Sequence, residues 1–134
     1  MMLMRRTYQA LGLGLLMATV TGCSLLLSFT GTFRFTFGPE GSRTTITATL
    51  TQVETMITGQ MVFEGESGGM IDTETFNVSA VVRARGVANG TLQPVGTTII
   101  MHPVLLLLSG NGQFLTVRLN DVGNFGYVLT RVAP

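Results

Sequence analysis

The chain of 134 residues predicts an all-β fold, a small antiparallel up-and-down barrel of about eight strands, with a β-sandwich as the alternative. Three observations carry this expectation. From residue 29 onward apolar and polar residues alternate with period two, the spacing of a strand that buries one face. Clusters of Gly, Pro, Asn and Ser punctuate the alternating runs, as turns require. No segment beyond that point shows an apolar stripe at helical spacing. Short strands at regular intervals with turn signals between them are the pattern of barrels and sandwiches.

Residues 1–22 precede this pattern and read as an export address. Arg5 and Arg6 make a short basic start, and residues 10–20 are uncharged and dominated by Leu, Gly, Ala and Met. Those are the first two regions of a secretory signal peptide. The run ends in Val20-Thr21-Gly22-Cys23, which resembles the lipobox of bacterial lipoprotein precursors: an aliphatic residue, a small residue, Gly or Ala, then Cys. The only cysteine of the chain falls on the one position where that family requires it. The resemblance implies a signal peptide over residues 1–22, cleavage before Cys23, a thioether-linked diacylglycerol on Cys23 and a fatty acyl group such as palmitate on the new amino terminus. At roughly 0.8 kcal/mol per buried methylene, one chain anchors marginally and two or three anchor stably. Ser24 after the cysteine implies the outer membrane in a two-membrane organism, on its periplasmic or surface face. Residues 23–28 form a short apolar tether whose leucines are expected to dip into the membrane interface. The alternative is an uncleaved anchor, because residues 11–29 are uncharged and long enough to span a bilayer; Gly12, Gly14 and Gly22 weaken such a helix.

A single β domain is expected over residues 29–132. Phe29, Gly31, Phe33, Phe35 and Phe37 share one face of the first strand, and Thr30, Thr32, Arg34 and Thr36 share the other. Gly38-Pro39-Glu40-Gly41-Ser42 turns the chain. Ile46, Ala48 and Leu50 then alternate with Thr45, Thr47, Thr49 and Thr51, β-branched residues suited to a wet strand face. A third strand over residues 57–63 leads into an acidic loop over residues 64–69. Phe76, Val78, Ala80, Val82 and Ala84 line a fourth strand, with Arg83 and Arg85 on its other face. Asn89-Gly90 predicts a two-residue hairpin turn, followed by a short piece over 91–95. Residues 97–108 form a sixth strand, apolar on both faces and bent at Pro103. Turns at Ser109-Gly110-Asn111-Gly112 and Asn120-Asp121-Val122-Gly123 set off strands over 113–119 and 124–132.

The first strand carries Gly31-Thr32-Phe33, which is similar to the Gly-x-Trp motif of lipocalin and avidin-like barrels, with Phe in place of Trp. Arg131 stands near the chain end, where those folds set a basic residue against that aromatic ring. The resemblance implies that Phe33 and Arg131 close the barrel, first strand against last, with a cation–π contact. It also implies a carrier's cavity lined by Phe33, Phe35, Phe76 and Leu106. Biotin is not an expected ligand, since that pocket is walled by Trp and the chain has none.

Composition narrows the function. All eight basic residues are Arg, against seven acids; after loss of the signal peptide six remain against the same seven, a net charge of −1. Nothing there grips a phosphate backbone, so no nucleic-acid partner is expected. No cofactor is expected beyond the covalent lipid. Catalysis is not expected either, since Cys23 is taken by lipid, Lys is absent and His102 in an apolar strand is the one imidazole. Glu64, Glu66, Asp72 and Glu74 match no metal-binding spacing and read as a solvated loop, with calcium as the alternative. Two functions are carried forward: a non-catalytic envelope lipoprotein acting in protein interaction, assembly or self-association, and a lipocalin-like carrier of a small apolar ligand.

Overall fold

A computed structural model describes residues 27–96, 100–120 and 125–134. Eight strands follow one another: β1 (Gly31–Phe37), β2 (Thr44–Val53), β3 (Met56–Ser67), β4 (Met70–Ala84), β5 (Val87–Pro94), β6 (His102–Leu108), β7 (Phe114–Leu119) and β8 (Phe125–Ala133). Each pairs antiparallel with its neighbours in sequence, and β8 returns to β1. The result is a closed up-and-down barrel, and the sandwich alternative falls away. Closure removes both edges that a flat sheet would leave unpaired.

The alternation read from the sequence sets which side chains enter the barrel. Phe29, Phe33, Ile46, Ala48, Leu50, Ile57, Met61, Val78, Ala80, Ala88, Leu92, Val104, Leu106, Leu115, Val117 and Leu129 are all buried in one core. An eight-stranded barrel is just wide enough for its own side chains to fill. Filling requires large residues to sit beside small ones, and the register supplies this: Phe33 pairs with Ala48, and Leu106 with Ala88. Ala80 lies opposite Gly90.

Several boundaries differ from the expectation, each for a local reason. The expected loop over 64–69 is strand: β3 and β4 pair as far as Ser67 with Met70, leaving Gly68 and Gly69 as the turn at positive φ. The expected turn at Asn89-Gly90 lies within β5. Gly86, at φ 73°, makes the turn instead, and a Cβ on Gly90 would run into the carbonyl oxygen of Ser79, so this glycine serves close packing of strands. Arg85 accordingly leaves β4 and does not share its face with Arg83, whose Nε donates to Asn89 Oδ1 at 3.1 Å. The sixth strand begins at His102, not at 97; Ile100 and Met101 precede it and are exposed. Residues 97–99, the turn residues 121–124 and the lipobox with Cys23 lie outside the described residues.

Candidate functional site

The two ends of the barrel are built differently. At one end, the N-terminal approach to β1 folds across the opening. Phe29 is buried there, and Leu27, expected to meet the membrane interface, packs against the barrel core. The Gln52 side chain accepts from the Phe29 amide at 3.0 Å, and the Gln52 amide donates to Thr30 Oγ1 at 2.9 Å. Arg131 locks this end. Its Nε donates to the Gly112 carbonyl at 2.7 Å, Nη1 to that of Thr30 at 2.7 Å and Nη2 to that of Ser28 at 3.1 Å. The guanidinium lies 4.6 Å from the centre of the Phe33 ring. Gly31 makes room for it: at φ 146° it has no side chain where the guanidinium passes. A planar five-donor group suits three carbonyls and a ring face together, which an ammonium could not serve in this way.

Among the described residues no segment crosses the other end. A cavity of about 280 Å³ lies there, lined by Phe63, Glu74, Phe76, Leu92, His102 and Leu119. A second recess of about 270 Å³ adjoins it at the strand rim, sharing Phe63 and Glu74 and adding Thr44, Glu64, Gly65, Asp72 and Thr73. Directly paired residues of neighbouring strands share a face, so Glu74, opposite Phe63, and Asp72, opposite Gly65, both lie on the interior side of β4. Glu64 and Glu66 fall in the other phase of β3, so the acidic cluster seen in sequence is split between two faces. Among the described residues no group of three or more His, Cys, Asp and Glu is placed to hold a metal.

Rings form an arc around this mouth. Phe37 stacks on Phe35 at 5.2 Å, and Phe35 meets Tyr127 at 6.5 Å. Tyr127 then meets Phe63 edge-on at 6.1 Å, Phe63 meets Phe76 at 5.5 Å, and Phe76 meets His102 at 6.1 Å. Beyond the arc, the strand ends carry exposed apolar side chains: Met70 and Ile71 at the tip of the long β3–β4 hairpin, Val95 after β5, and Ile100 and Met101 before β6.

Of the four residues expected to line a cavity, Phe76 lines this one. Phe33 and Leu106 are fully buried in the filled half, and Phe35 belongs to the ring arc beside the cavity. Sequence reasoning missed Phe63, Glu74, Leu92, His102 and Leu119 as lining residues. The signal was present, because His102 is in phase with Val104 and Leu106, and Leu119 with Leu115 and Val117. Phase gives the face but not the height along the barrel. No protein-family model, no curated protein and no solved structure matches the chain.

Proposed function

We propose that this protein is a lipid-anchored envelope carrier, non-catalytic, whose barrel takes a small apolar ligand in its open end. The observation that carries the reading is the cavity of about 280 Å³ walled by Phe63, Phe76, Leu92 and Leu119. Ligand pockets span roughly 300–1,000 Å³, apolar with a few placed polar groups. This cavity stands at the small end of that range, with Glu74 and His102 as its polar groups, and suits a ligand of modest size.

The anchor half of the proposal rests on the lipobox. Leu27 packs at the closed end only four residues after Cys23, a reach of at most about 14 Å. A diacylglycerol on Cys23 therefore holds the closed end at the membrane and turns the mouth away from it, toward the aqueous side of the envelope.

A second reading, an envelope partner bound at the rim, is favoured by one observation: Phe37, Met70, Ile71, Val95, Ile100 and Met101 all expose apolar surface around the mouth. Native mass spectrometry of membrane-extracted protein separates the two. The carrier gives a stoichiometric small molecule, removed by organic extraction, and a mass on the chain equal to cleavage at Cys23 plus acyl groups. A ligand-free chain that is recovered cross-linked to one protein through its rim residues favours the partner, and an unmodified full-length mass overturns the anchor.

A further inference from the structure

The charge around the cavity narrows the chemistry of the ligand, on the premise that the open end is a ligand site. Glu74 stands directly opposite Phe63 on the interior side of the β3–β4 hairpin and lines the same cavity as Phe76 and Leu92. Among the described residues no hydrogen bond or ion pair engages its carboxylate. The six described arginines all lie elsewhere. Arg131 is at the closed end, and Arg85 is in the turn next to Gly86 at that same end. Arg34 Nε donates to Thr47 Oγ1, and Arg83 Nε to Asn89 Oδ1. Arg118 follows the inward Val117 and so faces out. Arg43 lines an outer recess with Glu64 and Glu66. The chain has no Lys.

A carboxylate at the lip of an apolar cavity, with no described arginine on that face, repels an anionic head and attracts a cationic one. The aromatic arc adds to this. Phe63 meets Phe76 at an interplanar angle of 78° and Tyr127 at 72°, edge-on contacts and not stacks. Ring faces around a cation are the basis of quaternary ammonium recognition. We infer that the ligand is a small amphiphile with one cationic head, an amine or quaternary ammonium. Its apolar body rests on Phe76, Leu92 and Leu119, and its head lies between Glu74 and the rings of Phe63 and Tyr127. Fatty acids and other anionic amphiphiles are disfavoured by the same site.

The test uses three probes of nearly equal shape, benzyltrimethylammonium, benzyl alcohol and phenylacetate. Each is titrated into the full chain in nanodiscs of zwitterionic phosphatidylcholine, with binding read from the aromatic NMR resonances of Phe63, Phe76 and His102. The expected order is cation first, with benzyl alcohol about fivefold to tenfold weaker and phenylacetate weakest. Glu74→Gln narrows the lead of the cation over the alcohol to the part the rings supply and leaves the alcohol unchanged, which also shows that the variant is folded. Equal affinity for all three probes, a preference for phenylacetate, or a Glu74→Gln protein whose preference for the cation is undiminished overturns the inference while the carrier reading stands. Absence of binding by any probe overturns both.

Discussion

The closed and open halves of the barrel are made by the same eight strands with the same alternation, yet one is solid and the other hollow. Along β1 the change is visible on a single face: Phe29 and Phe33 are buried, Phe35 is half-buried and Phe37 is 46% exposed. In the closed half large residues sit against small ones, Phe33 beside Ala48 and Leu106 beside Ala88, and the Arg131 guanidinium ties three carbonyls across the end. In the open half Phe63 sits against Glu74, a pairing that leaves space because a carboxylate stays near water. Close packing and open space are thus divided along the barrel axis, one to each end.

That division is most exposed by paired truncations on one strand. Phe33→Ala is expected to cost about 3–5 kcal/mol in urea unfolding, the range for a buried Phe, and Phe37→Ala less than about 1 kcal/mol, as for a surface site. Similar losses at the two positions would erase the distinction between halves. Next in size, Arg131→Met keeps the apolar stem but leaves the carbonyls of Ser28, Thr30 and Gly112 without their donor; about 2 kcal/mol is expected, with Arg131→Lys restoring only part. Leu119→Phe works on the other half. It fills space and should shift the unfolding free energy by no more than about 1 kcal/mol, while abolishing the stoichiometric ligand in native mass spectrometry. A Leu119→Phe chain that still carries ligand moves the site out of this cavity. The smallest effect belongs to Glu54, the one described non-glycine residue at positive φ, 57°. Glu54→Gly should change stability by about 0.5 kcal/mol or less, relief of strain being nearly balanced by the added freedom of the unfolded chain.

Faces were legible in the sequence and heights were not. Period two alone places Ile46, Ala48 and Leu50 inward and Thr45, Thr47 and Thr49 on the outer side, and the structure agrees. The number of strands and the meander order were legible for the same reason. Height depends on where each hairpin turns, and there local signals compete. Asn89-Gly90 has the composition of a turn, but Gly86 takes the turn and Gly90 is spent on close approach to β4. Acidic residues 64–74 look like loop because charge is rare in strands, yet cross-strand pairing continues through them to Ser67 and Met70. Misplacing these two turns shifts the height assigned to the side chains on either side of them.

The Arg131 contact with Thr30 spans 101 positions of sequence, nearly the whole barrel. All other neighbouring strands are joined by short connections, so seven of the eight seams zip locally, whereas the last must bring the first and last strands of the barrel together against the entropy of a loop that long. Closure therefore waits for β8 to be available. The same seam lays the start and finish of the barrel side by side, so a circular permutant joined there and opened at the exposed Gly68-Gly69 turn keeps every strand pair intact.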